Sequence, residues 1–130
     1  MIRWLVTATV ALLGLQGVAL AEGNADKGMV QFVKNCSSCH SIQQGSNTIG
    51  PSLHSIVGRT AGSVAGFTYS SELAREDFSW NEPVLLEYLT SPTQAGGGDQ
   101  LLHTVHMHFE GLSSREAEDI IAFLKSLGES

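Results

Sequence analysis

Apolar residues recur at helical spacing in three stretches of this 130-residue chain. Over residues 25–35, Met29, Phe32, Val33 and Cys36 fall three and four apart, which predicts a helix with one apolar face, and Asn24 is placed to cap it. Over residues 82–89, Leu85, Leu86 and Leu89 supply an apolar face. Asn81 stands at the cap position, Pro83 in the first turn where a missing N–H costs nothing, and Pro92 beyond the end. The third pattern is the clearest. Ser113 and Glu116 have capping-box spacing, Ala117, Ile120, Ile121, Leu124 and Leu127 repeat at helical steps, and Gly128 closes the run, with Lys125 suited to the helix dipole. There is no internal repeat and no strand-like alternation, so the expected class is all-α with long loops.

The segments between these helices are informative too. Gly45, Gly50, Pro51, Gly58, Gly62 and Gly66 crowd one stretch with helix and strand breakers, as in a loop wrapped around something other than its own side chains. A large rigid ligand would supply the missing core. Residues 91–107 read as irregular and include Gly96, Gly97 and Gly98. No Lys-Ser/Thr pair and no strand-to-helix pattern follows them, so they are not a phosphate loop.

At the start, Arg3, an apolar run over residues 4–18 and then Ala19-Leu20-Ala21 read as a secretory leader, residues 1–21, cleaved after Ala21. The alternative, an uncleaved membrane anchor, is disfavoured because Thr7, Thr9, Gly14 and Gln16 dilute the run. The expectation is an exported, periplasmic protein with one domain over residues 22–130 and no stable membrane insertion once the leader is removed.

Removing Arg3 with the leader leaves six basic residues against thirteen acidic ones, a formal charge of −7. An acidic domain without basic clusters excludes nucleic acid and anionic membrane as expected partners.

The chain has two cysteines. They stand three apart, Cys36 and Cys39, and His40 follows directly, the spacing of c-type haem attachment. Haem carries two vinyl groups. Two thiols so spaced can form thioethers with them while the next side chain reaches the iron from one face. A thioredoxin-like dithiol would need a strand–helix context that is absent here. A zinc site borrowing His103, His106 or His108 would need a gap from Cys39 far longer than a finger allows. A plain disulfide leaves His40 unexplained.

Around this motif the chain resembles the class I cytochromes c, most closely the bacterial cytochrome c2 and mitochondrial-like branch. The resemblance covers nearly all of residues 22–130. It rests on Lys27-Gly28 and Phe32 before the motif, then Gly50-Pro51-Ser52-Leu53-His54 through Gly58-Arg59, then Gly66-Phe67-Thr68-Tyr69 and Trp80. Leu86-Glu87-Tyr88-Leu89, Met107 with Phe109 and Gly111-Leu112, and Ile121-Ala122-Phe123-Leu124 complete it.

The resemblance implies a small cytochrome c fold, with N- and C-terminal helices packed together and further helices and long loops around one covalent haem c. His40 would be the proximal iron ligand, with the Pro51 carbonyl accepting its outer ring N–H. Arg59, Tyr69 and Trp80 would donate hydrogen bonds to a haem propionate. Tyr88 would sit near the second iron ligand, Met107, and His54 would brace a loop. Gly28 and Phe32 would meet Ile120 and Phe123 where the terminal helices cross. One departure stands out: residues 92–107 form a longer segment than in short family members and lack their Pro-Gly-Thr-Lys. His103, His106 and His108 flank Met107 there, so a neighbouring imidazole, His106 first, is the competing ligand.

The implied activity is single-electron transport and not catalysis, by a monomer that docks transiently with redox proteins of a respiratory chain or with dehydrogenases. Mitochondrial relatives use a lysine-rich face. Here only Lys27, Lys34 and Lys125 remain after the leader, so the expected partner offers a basic or an apolar face. A dedicated haem subunit of a larger oxidoreductase is the alternative.

Overall fold

The computed structural model describes residues 22–91, 107 and 109–128. The leader and its boundary, the Gly96-Gly97-Gly98 run, and His103, His106 and His108 lie outside the described residues. Among the described residues there are three α-helices: α1 at Ala25–Asn35, α2 at Glu82–Thr90 and α3 at Ser114–Ser126. A 3-10 turn at Leu73–Arg75 was not expected from the sequence. No strand is found among the described residues, where the β contact is an isolated bridge between Thr60 and Ser79. No described helix is long and apolar enough to cross a membrane.

The capping residues act as their types dictate. Asn24 and Asn81 each accept a backbone N–H from the third residue on, Lys27 and Val84. Ser113 and Glu116 form the full reciprocal box. Gly128 follows α3, but it is absent from the glycines with positive φ. The helix instead ends through hydrogen bonds from Leu127 and Gly128 N–H to Leu124 and Lys125 carbonyls.

α1 and α3 make the principal helix contact. Gly28 is buried there, and a Cβ on it would strike the Asp119 carbonyl of α3. The missing side chain is what lets the two backbones approach. Phe32 then stacks obliquely on Phe123, with ring centroids 5.7 Å apart, and Ile120 beside them is 1% exposed. Each such side chain stabilises the fold by roughly 1.5–3 kcal/mol. A buried carboxylate locks the crossing: Asp119 accepts the Asn24 N–H at 2.7 Å, joining the entry of α1 to the middle of α3. α2 joins through Lys125 Nζ to Glu82, 2.6 Å, and through Leu112 N–H to the Leu89 carbonyl.

The expected apolar face of α1 is only half buried. Phe32 is inside, but Met29 is 51% and Val33 63% exposed. The spacing identified a stripe, but α3 meets α1 along the line of Gly28 and Phe32 and leaves the flank of that stripe uncovered.

Candidate functional site

α1 ends at Asn35, and the CxxCH follows as a turn: Cys36 N–H and Ser37 N–H both return to the Phe32 carbonyl, and His40 N–H bonds the Cys36 carbonyl at 3.0 Å. The buried Phe32 therefore anchors the motif to the core. No disulfide joins Cys36 to Cys39. Burial pushes the Cys36 pKa up to about 11. A redox dithiol needs the opposite shift, toward the thiolate.

His40 is fixed by its partner. Its Nδ1 lies 2.8 Å from the Pro51 carbonyl, and a carbonyl only accepts, so the proton sits on Nδ1 and the lone pair on Nε2. Nε2 faces Met107 Sδ at 3.4 Å. Burial lowers the pKa of His40, opposed by the Pro51 bond and reinforced by the charge of Arg59; the neutral imidazole is the form that binds metals. Gly50 is buried against this ring, where any Cβ would collide with it.

Arg59 and Trp80 are brought together by two backbone hydrogen bonds of 2.8 Å, Trp80 N–H to the Arg59 carbonyl and Gly58 N–H to the Trp80 carbonyl. Arg59 donates through Nη1 to the His54 carbonyl. Burial pulls its pKa down, with the nearby Tyr69 acting the other way. Tyr69 OH accepts from Val64 N–H at 3.1 Å. Its own hydroxyl proton is thereby left available. Trp80 is nearly buried between Phe78 and Tyr88, 4.9 and 5.6 Å away.

Tyr88 itself stacks near Phe109 at 6.5 Å. Its hydroxyl is buried and has no hydrogen-bond partner among the described residues, and burial raises its pKa to about 12. An orphaned buried hydroxyl normally costs about 1–3 kcal/mol. Here it is a sign that the space beside the Tyr88 hydroxyl is built for a further group.

Asn47 was missed by sequence reasoning. Its Oδ1 accepts Ser52 N–H at 2.9 Å and its Nδ2 donates to the Ala65 carbonyl at 3.3 Å, clipping the loop after His40 to the loop before Tyr69. His54, expected to brace a loop, takes part through its backbone N–H and carbonyl. Asn between loop glycines is a common turn residue, so no sequence signal marked the bridge.

Among the described residues no group of three or more His, Cys, Asp or Glu side chains could hold a metal ion. The donors that do converge are an imidazole and a thioether, with two thiols on the imidazole's own segment. That set fits an iron porphyrin held by the chain, and the fold and motif together define the class: an all-α protein with a CxxCH haem-attachment site.

Comparison with known proteins agrees. The cytochrome c family model matches residues 25–128. A cytochrome c of Gibberella zeae is 36% identical over 108 residues, spanning 82% of this chain and 96% of that protein. Cytochrome c2 iso-2 of Magnetospirillum fulvum is 39% identical over 93 residues, 71% of this chain and 91% of its own. The solved structure of cytochrome cH from Methylobacterium extorquens superposes with a TM-score of 0.65 at 30% identity, covering 80% of this chain and 99% of that one. The chain belongs to the cytochrome c family. It is accordingly an electron carrier and not an enzyme, and its cofactor is covalent haem c.

Proposed function

We propose that this protein is an exported, periplasmic shuttle whose single haem is linked through Cys36 and Cys39 and ligated by His40 and Met107. The observation that carries the ligand pair is the opposition of His40 Nε2 and Met107 Sδ at 3.4 Å. When bound, the haem supplies an iron that alternates between two oxidation states. The chain's residues do the rest. The Pro51 carbonyl holds the imidazole proton on Nδ1 and so presents Nε2, raising its basicity. A thioether opposite favours the reduced state and raises the potential.

Arg59, Tyr69 and Trp80 offer three polar donors from adjacent backbone segments, suited to a propionate. Tyr88 contributes a donor near Met107. Partners are redox proteins that dock briefly with the monomer over a small surface, on a basic or an apolar face, because turnover needs fast release. Residues 1–21 support export.

The test is the absorption of the purified holoprotein. Haem that stays on the chain through a denaturing gel, with a sulfur-to-iron charge-transfer band in the near infrared of the oxidised form, supports the reading. Absence of that band in the wild type removes Met107 as ligand and makes His106 the next candidate.

A further inference from the structure

The Cys39–His40 peptide joins the second attachment cysteine to the imidazole, so its orientation governs both. Its N–H edge is held by the exit of α1: His40 N–H donates to the Cys36 carbonyl at 3.0 Å, and Cys39 N–H shares that acceptor at 3.1 Å. Its carbonyl edge is held from another segment. Gly50 N–H and the Thr48 hydroxyl both donate to the Cys39 carbonyl, at 2.8 and 2.5 Å, one for each lone pair of the oxygen. A peptide unit is planar. Gripping it at both edges therefore fixes the plane from which the His40 side chain departs.

Thr48 also grips a second peptide. Its backbone N–H donates to the Gly50 carbonyl at 3.0 Å. Pro51 has no N–H, so the Gly50–Pro51 peptide can be held only through that carbonyl. Pro51 in turn supplies the carbonyl that lies 2.8 Å from His40 Nδ1. One residue thus ties the two backbone arms that meet at the imidazole. Its hydroxyl holds the arm that bears the ring, and its N–H holds the arm that bears the ring's acceptor. The residue type suits this task, because a branched Cβ leaves threonine few rotamers and its Oγ1 is held at little further cost in entropy. Thr48 is exposed, so core packing does not account for its place.

We propose that Thr48 is a positioning residue for the iron-binding imidazole: acting through the Cys39 carbonyl, its hydroxyl holds His40 at the angle where Nδ1–H meets the Pro51 carbonyl, and so sets the basicity of Nε2. This rests on His40 being an iron ligand. A more basic imidazole favours oxidised iron. Freeing the ring weakens the Nδ1–H bond, makes the ligand less basic and raises the midpoint potential.

The test uses the haem-loaded protein and reads the His40 Nδ1–H proton by NMR together with the midpoint potential. Thr48→Val keeps the branched shape and removes the hydroxyl; Thr48→Ser keeps the hydroxyl. In the valine variant the Nδ1–H proton should exchange with solvent about tenfold faster, as for the loss of one hydrogen bond, and the potential should rise. Serine should restore both to wild-type values. Ser126→Ala removes another hydroxyl-to-carbonyl bond, 2.6 Å from Ser126 Oγ to Phe123 at the end of α3, and should move neither. One measurement needs no variant: in the wild type the Thr48 hydroxyl proton, held on the Cys39 carbonyl, should give a resolved signal with a cross-peak to Gly50 N–H.

Wild-type exchange and potential in Thr48→Val would overturn the proposal. A serine variant that behaves like valine would overturn it too, by assigning the effect to the lost methyl group. So would acceleration shared equally by the amides of α3, which would mean a general loss of stability, or a wild-type spectrum without the Thr48 hydroxyl signal. A His40 Nδ1–H resonance that does not shift when the iron is oxidised would show that His40 is not a ligand, and the reading beneath the proposal would fall with it.

Discussion

His40 Nε2 and Met107 Sδ stand 3.4 Å apart across 67 positions of chain. The first arrives on the turn that closes α1, held by Pro51; the second precedes the segment that leads into α3. Met107→Ala should abolish the near-infrared band of the oxidised protein and lower the midpoint potential, because a thioether favours reduced iron. Retention of both signals would show that the sulfur is not a ligand.

Tyr88 gives a test without ligand loss. Its hydroxyl is buried without a partner, so Tyr88→Phe should change unfolding stability by less than about 1 kcal/mol while shifting the midpoint potential. The raised value near 12 also has a sign. A phenol whose folded pKa exceeds its unfolded value of about 10 contributes fully below pH 10, and that contribution drains away as pH rises toward 12. Urea midpoints between pH 9 and 11.5 should fall less steeply in Tyr88→Phe than in the wild type.

The α1–α3 crossing should be the most sensitive point of the fold. Gly28→Val would drive a side chain into the Asp119 carbonyl, and overpacking of this kind costs about 1–3 kcal/mol or more when backbone must move. Chemical denaturation of the holoprotein measures it. Val30→Ala, on the exposed side of the same helix, should lie within about 0.5 kcal/mol of wild type.

Asp119→Ala removes the acceptor of the Asn24 N–H. A hydrogen bond to a charged group contributes about 1.5–3 kcal/mol, and amide exchange should speed up at the start of α1 more than at Phe32. Equal acceleration at both would mean global destabilisation only.

At the start of α3, hydrogen bonds from the Ser113 side chain and then its backbone hold the Glu116 carboxyl below its usual range. A depressed folded pKa stabilises above the unfolded value of about 4.3, and the effect is lost as pH falls through the lower folded value. Stability measured from about pH 6 down to about pH 3 should therefore decline less in Glu116→Gln than in wild type. Ser113→Ala should cost about 1 kcal/mol at neutral pH.

The chain by itself determined what depends on local chemistry. The three helices follow from periodicity and from Asn24, Asn81, Ser113 and Glu116, because a capping side chain acts within three residues of itself. The cofactor followed from Cys36, Cys39 and His40, because thioether attachment requires that spacing. The roles proposed for Pro51, Arg59, Tyr69, Trp80, Tyr88 and Met107 came only from the resemblance, since nothing local joins residues so far apart. The tertiary structure brought His40 to Met107 and Arg59 to Trp80, and made Asn47 a bridge between loops. It also decided which flank of the α1 stripe is covered. Period marks where apolar side chains lie around a helix, but α3 has one line of approach, set by the absent side chain of Gly28. Met29 and Val33 therefore remain in solvent while Phe32 is buried.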